Sequence, residues 1–152
     1  MTGIIFTGHG TYGSGLLNAV SLLAGKTPFF ISVDFSGENA NFFKEELHNA
    51  VMELIKMECE QILILCDLLG GTPFNTAVTL YHDTDNVIII YGTNVPFAVQ
   101  LCLSVEDQHI TRDDLITLIN ENLDSLGVFT NSNSYERGCK KTVLTKCHSD
   151  IS

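Results

Sequence analysis

Residues 62–73 read ILILCDLLGGTP and combine a strand, a turn and the start of a helix. The run Ile62–Cys66 is continuously apolar, which is typical of a strand that is covered on both faces. The run stops at Asp67, and a glycine pair follows. Thr72 and Pro73 then suit the N-cap and the first residue of a helix. This stretch therefore predicts a buried strand that leads through a turn into a helix.

The same alternation of strand and helix extends outward from this stretch in both directions. Short β-branched or aromatic runs predict three more strands, at residues 4–7, 29–33 and 87–91. Apolar residues at helical spacing predict helices at about residues 16–24, 39–56, 73–81 and 111–126, and a short one that ends near residue 104. This order indicates the doubly wound α/β class, a mostly parallel sheet of about four strands with helices on both faces.

The alternation ends with the last predicted helix. Thr111 and Asp114 have the spacing of a capping box, which would open that helix. We expect one domain over residues 1–126 and an atypical C-terminal tail over residues 127–152. Within the tail, residues 140–146 predict one further edge strand.

The composition narrows the class of protein. Eighteen acidic and eight basic side chains give the 152-residue chain a formal charge of −10 at pH 7. Such a chain, with no cluster of Lys and Arg, repels the phosphate backbone of a nucleic acid, which argues against nucleic-acid binding. No apolar run approaches the ~20 residues of a membrane-spanning helix, and we expect no secretory signal. Five cysteines without a Cys-x-x-Cys pair favour reduced thiols over disulfides or a zinc site. We therefore expect a soluble protein of the cytoplasm that is not membrane-embedded.

Candidate site residues follow two of the predicted strands. His9 comes after the first strand and Asp67 after the third, with Gly70-Gly71-Thr72 next to Asp67. Doubly wound sheets bind ligands beyond the carboxyl ends of their strands. A neutral imidazole can attack phosphorus when a carboxylate holds its other nitrogen as N–H, and a helix start after glycines suits a phosphate. The pattern therefore predicts reversible phosphorylation of His9, although the same pair could act as a general base in a hydrolase.

A second interpretation starts from the glycines around His9. Gly8, Gly10 and Gly13 match the G-x-G-x-x-G fingerprint of dinucleotide-binding domains, and Asp34 lies at the distance of its acidic residue. Against this interpretation, a histidine occupies the position where the pyrophosphate would lie, and residues 67–75 have no role. A small dinucleotide-binding domain remains the alternative.

Four stretches of the chain resemble one known family. They are IFTGHG at residues 5–10, DFSGEN at 34–39, DLLGGTPFN at 67–75 and GTNVP at 92–96. In order and spacing over about residues 1–125, they are similar to the enzyme IIA domain of the mannose/fructose/sorbose class of the bacterial sugar phosphotransferase system (PTS).

The resemblance implies a homodimeric phosphocarrier that uses no cofactor or metal. It would accept a phosphoryl group from the phosphocarrier HPr and pass it to a histidine of the IIB component. By the family pattern, His9 is the phosphorylated residue and Asp67 its orienting partner, and Gly71 and Thr72 line the phosphate site. Leu68 departs from the pattern, because some members carry a hydroxyl there. The tail also differs from the edge strand that the family usually exchanges between dimer partners.

Overall fold

The computed structural model describes residues 1–105, 109–129 and 135–137, and its elements alternate as the sequence predicts. The strands are β1 (Thr2–His9), β2 (Phe30–Phe35), β3 (Gln61–Cys66), β4 (Val87–Ile90), β5 (Gly127–Phe129) and β6 (Tyr135–Arg137). The helices are α1 (Tyr12–Ala24), α2 (Ala40–Lys56), α3 (Thr72–Tyr81), α4 (Val95–Ser104) and α5 (Arg112–Asn122).

Strands β1 to β4 form one parallel sheet in the order β2-β1-β3-β4. The predicted doubly wound α/β fold is therefore confirmed. From β1 the chain first adds β2 on one side and later adds β3 on the other, so the strand order reverses between β1 and β3. Open parallel sheets bind ligands at the carboxyl ends of the strands beside such a reversal. His9 ends β1 there, and Asp67 directly follows β3.

Strand β3 is apolar throughout because both of its faces are covered. Leu63 and Leu65 belong to a core cluster that includes residues of α1, α4 and α5. Ile62 and Ile64 point to the opposite face and pack in a second cluster with residues of α2 and α3. Each helix thus buries one side against the sheet. Across the described part of the chain, no helix has both the length and the apolar content needed to cross a membrane.

Some helix ends differ from the prediction. Helix α1 begins at Tyr12 and not near residue 16, because its first four residues, Tyr-Gly-Ser-Gly, show no apolar repeat at helical spacing. Helix α3 begins at Thr72 with Gly71 as its N-cap, one residue earlier than predicted, because the extended backbone of Gly71 meets the cap geometry without a side-chain bond. The capping box of Thr111 and Asp114 is confirmed. Helix α5 ends at Asn122, four residues before the predicted end near residue 126. Backbone hydrogen bonds between residues three apart tighten the chain into turns there.

The tail contains a short antiparallel pair of strands that the sequence analysis did not predict. Strands β5 and β6 form a separate two-stranded sheet, in which Val128 pairs with Glu136. Three-residue strands are too short for a period-two pattern to appear in the sequence. The predicted edge strand at 140–146 lies outside the described residues, and the domain boundary after residue 126 stays a prediction.

Candidate active site

His9 and Asp67 contact each other at the carboxyl edge of the sheet. Thr7 of β1 pairs with Cys66 of β3, so the residues that follow lie side by side. Nδ1 of the His9 ring lies 2.7 Å from Oδ2 of Asp67. The same carboxylate oxygen accepts the backbone N–H of His9 at 2.9 Å, and Oδ1 accepts the backbone N–H of Leu68 at 2.8 Å. The carboxylate is therefore held by both strand ends.

These hydrogen bonds determine the charge of Asp67 and the position of the ring proton. Burial alone would raise the pKa of the Asp67 carboxyl, but hydrogen bonds from the His9 backbone and ring and from the Leu68 backbone outweigh it. The pKa lies below its ordinary value, so Asp67 is ionised at neutral pH. An ionised carboxylate only accepts hydrogen bonds, so the proton of a neutral His9 imidazole is assigned to Nδ1. The lone pair is then on Nε2.

The side chains of His9 and Asp67 differ in exposure. The His9 side chain is 42% exposed, whereas the Asp67 side chain is 12% exposed. A large partner can therefore reach the ring, while the carboxylate stays shielded from water. Phe35 supports the ring by an edge-to-face contact, with centroids 5.7 Å apart. Phe35 is not among the site residues predicted from the sequence, although its place at the end of β2 puts it at the same sheet edge.

The start of helix α3 lies against the His9 ring. A Cβ atom at Gly71 would lie 2.6 Å from Cε1 of His9, so a side chain here would displace the ring. Gly70 has a φ of +78°, a left-handed conformation that favours glycine, and it turns the chain into the helix. Thr72 follows Gly71 as the first residue of α3. The structure thus places both Asp67 and Gly71 against His9, and Thr72 is the next residue in the chain.

Two residues of the dinucleotide fingerprint, Asp34 and Gly13, have structural roles instead. Asp34 accepts the backbone N–H of Ser14 at 2.9 Å and its hydroxyl at 2.5 Å, so the carboxylate ties β2 to the first turn of α1. A Cβ at Gly13 would lie 2.5 Å from the Phe6 carbonyl oxygen and 2.9 Å from Oδ1 of Asp34. This close packing of helix on strand accounts for both residues without a nucleotide.

Replacing Gly13 by alanine should destabilise the fold by about 1–3 kcal/mol, the usual cost of overpacking a tight contact. The added methyl group meets backbone of β1, which has no free rotation with which to move away. Gly15→Ala is the matched control, because a Cβ at Gly15 in the same helix meets nothing within 4 Å. Urea unfolding of both variants checks this, and equal midpoints for the two would contradict it.

Cys66 directly precedes Asp67, but it is not placed to act as a nucleophile. Burial, with a smaller contribution from the Asp67 charge, raises the pKa of the Cys66 thiol to about 12. The side chain is fully buried in the sheet. Within the described ranges, no group of three or more His, Cys, Asp and Glu residues could hold a metal ion.

Comparison with known proteins agrees with the fold. The family model described as "PTS system fructose IIA component" matches residues 3–118. The fructose-specific EIIA component of Bacillus subtilis is 28% identical over 117 residues, which cover 76% of this chain and 77% of that protein. The mannose-specific EIIAB component of Escherichia coli K12 is 32% identical over 120 residues, covering 78% of this chain and 36% of that longer protein.

A solved structure shows the same architecture. It is a PTS IIA protein associated with the fucose utilization operon of Streptococcus pneumoniae. It superposes with a TM-score of 0.69 at 29% sequence identity, covering 80% of this chain and 90% of the other. The resemblance seen in the four sequence stretches is confirmed over most of the chain. This chain belongs to the PTS system fructose IIA component family, the mannose class of enzyme IIA domains.

Proposed function

We propose that this component of a sugar phosphotransferase system accepts a phosphoryl group from phospho-HPr on Nε2 of His9 and passes it to a IIB component. The observation that carries the proposal is the 2.7 Å contact between Nδ1 of His9 and Oδ2 of Asp67. It holds the ring by one nitrogen and leaves the other with its lone pair in a half-exposed position. Because HPr and a IIB component are its proposed partners, we also propose that the protein acts in the cytoplasm.

The transfer itself needs little beyond this pair. The Nε2 lone pair attacks the phosphorus of the donor phosphohistidine, and the donor P–N bond breaks as the new P–N bond forms. The proton on Nδ1 stays on the ring, which becomes positively charged. Asp67 offsets this charge because its carboxylate is already ionised and in contact with the ring. Transfer to the IIB component is the same step with this protein as the donor.

We assign the phosphate contacts to Gly71 and Thr72. The first backbone N–H groups of a helix have no helical acceptor, and the dipole is positive at this end. Helix α3 starts beside Cε1 of His9, the ring carbon bonded to both nitrogens. A phosphoryl group on Nε2 would therefore lie next to donors and a positive partial charge. Leu68, half-exposed beside this start, contributes no hydroxyl.

Incubation with phosphoenolpyruvate, enzyme I and HPr tests the proposal. We expect one phosphate per chain, labile in acid and stable in base, as for a phosphorus–nitrogen bond, and loss of the label on addition of a IIB component. Omission of HPr is the control. A chain that stays unlabelled would contradict the proposal, and binding of NADH at micromolar concentration would favour the dinucleotide-binding alternative.

We also propose that the protein is a homodimer. Strands β2 and β4 are the outer strands of the parallel sheet, and unpaired strand edges are usually covered by another chain or element. Light scattering at tens of micromolar should give the mass of a dimer.

Truncation after Leu126 should weaken the dimer more than the fold of residues 1–126, because we propose that the tail is the segment that crosses between chains. A full-length monomer at that concentration would contradict the prediction.

A further inference from the structure

The loop after β4 is tied to the strand end that carries Asp67. Thr93 donates to the backbone carbonyl of Cys66 twice, from its N–H at 3.2 Å and from Oγ1 at 2.9 Å. Thr93 is buried, and Gly92, with a φ of +69°, turns the chain so that it can reach β3. The Cys66 carbonyl belongs to the peptide that leads into Asp67. Thr93 thus fixes the peptide plane from which Asp67 projects.

Tyr12 completes this attachment from the other side. Its hydroxyl donates to the Thr93 carbonyl and lies 3.0 Å from Thr93 Oγ1. Since the single hydroxyl proton of Thr93 goes to Cys66, the Tyr12 proton is shared between the two Thr93 oxygens. The Tyr12 ring packs on Gly8, where a Cβ would lie 2.6 Å from Cδ1 of Tyr12 and 2.9 Å from Cγ of Asp67. Tyr12 and Asp67 therefore lie against the same glycine.

We propose that Tyr12 and Thr93 are positioning residues that hold the Asp67 carboxylate, and through it select the Nδ1–H tautomer of His9. Oδ2 of Asp67 meets both the N–H and the ring of His9, an arrangement that tolerates little movement of the strand end. If the Asp67 carboxylate moved away from Nδ1, the ring proton could shift to Nε2 and remove the lone pair that the proposed transfer uses. The tautomer is a property of the unphosphorylated protein, while the effect on transfer rests on the proposed function.

Burial keeps Tyr12 in the state that this role needs. Desolvation raises the pKa of the Tyr12 hydroxyl. The hydrogen bond with Thr93 lowers this pKa and the nearby Asp67 charge raises it, and the net pKa lies above its ordinary value. The phenol therefore stays a neutral donor throughout the neutral range and adds no second charge beside the carboxylate.

The test uses variants that remove one hydroxyl each, Thr93→Val and Tyr12→Phe. In the wild type, ¹⁵N spectra of the His9 ring should show the Nδ1–H tautomer. Both variants should show a mixture of tautomers and phosphorylation on the order of tenfold slower, within the ~10²-fold that small misplacements of a reacting group can cost. Thr93→Ser keeps the hydroxyl and should restore both readouts.

Thr7→Val is the matched control. Thr7 is buried and its hydroxyl donates to the Val33 carbonyl at 2.7 Å, the same kind of bond, but directed to β2. This variant should lose stability without a change of tautomer.

A wild-type tautomer and rate in Thr93→Val and Tyr12→Phe would overturn the proposal. If Thr93→Val fails to fold, Tyr12→Phe decides alone, because it keeps the ring that packs on Gly8. If the wild type takes up no phosphate, the proposed function fails and the tautomer still decides the positioning role.

Discussion

Replacing His9 by alanine should abolish phosphorylation by phosphoenolpyruvate, enzyme I and HPr. The alanine side chain has no nitrogen with which to attack phosphorus. The measurement is the amount of acid-labile phosphate per chain, which should fall from one to the background without HPr. The fold should survive, because the His9 side chain is 42% exposed and a smaller residue relieves the close contact with Gly71.

In the described part of the chain, two other histidines also contact carboxylates, so they serve as controls. Nε2 of His82 lies 3.0 Å from Asp83, and Nε2 of His109 lies 2.7 Å from Glu60. The side chains of these two acidic residues are 88% and 69% exposed, so water competes for each pair. Both pairs also engage the nitrogen that is free in His9. His82→Ala and His109→Ala should keep the full label, and a label that persists in His9→Ala would reject His9 as the acceptor.

We therefore expect that a contact between a histidine and a carboxylate is not by itself sufficient for the proposed phosphoryl transfer. The His9 pair differs by its shielded carboxylate, by the nitrogen it leaves free and by the helix start beside Cε1. All three features arise because β1, β3 and α3 meet where the strand order reverses. The fold thus supplies what the two residue types alone do not.

The sequence predicts the local features of this fold well. The apolar run at 62–66 is buried on both faces, and the capping box of Thr111 and Asp114 forms as its spacing predicts. Each of these signals depends on residues close together in the chain. The start of α3 was displaced by one residue because both glycine and threonine can occupy an N-cap, so the sequence pattern does not distinguish them.

Features that depend on distant contacts were not predictable from one sequence. The spacing of Asp34 matches a dinucleotide site, yet its carboxylate is occupied by Ser14. Phe35 meets His9 across two strands, and Tyr12 meets Thr93 although 81 positions separate them. The placement of His9 and Asp67 at one edge was predictable, because carboxyl ends of parallel strands share an edge. Their hydrogen-bond geometry was not.

Asp67→Asn should leave the protein folded but slow phosphoryl transfer by about 10² or more. Loss of the equivalent carboxylate in a serine-protease triad costs on the order of 10⁴, and transfer between phosphohistidines is an easier reaction. An amide can accept at one atom only, so its NH₂ group would face either the N–H groups of His9 or that of Leu68. The charge that offsets the imidazolium is also lost. Single-turnover transfer from phospho-HPr measures the effect, with Asp83→Asn as the control.

The stability of Asp67→Asn adds a second, independent readout. From sequence alone this change would resemble a surface substitution, within about 0.5 kcal/mol. Because Asp67 is 12% exposed and accepts two backbone N–H groups, we expect a loss of about 1–3 kcal/mol at neutral pH.

The pH dependence of that loss identifies its cause. The folded pKa of Asp67 lies below the unfolded value of about 3.9, so the carboxylate stabilises the fold above that pH and loses this contribution as the pH falls through the folded pKa. The stability difference between wild type and Asp67→Asn should therefore be constant near neutrality and shrink below about pH 4. A variant that transfers phosphate at the wild-type rate, with the same loss of stability, would leave Asp67 a purely structural brace between β1 and β3. If the variant loses transfer and also shows the acid-dependent difference in stability, the Asp67 carboxylate both stabilises the fold and supports transfer. The two roles coincide because the hydrogen bonds that hold the ends of β1 and β3 together also orient the His9 ring.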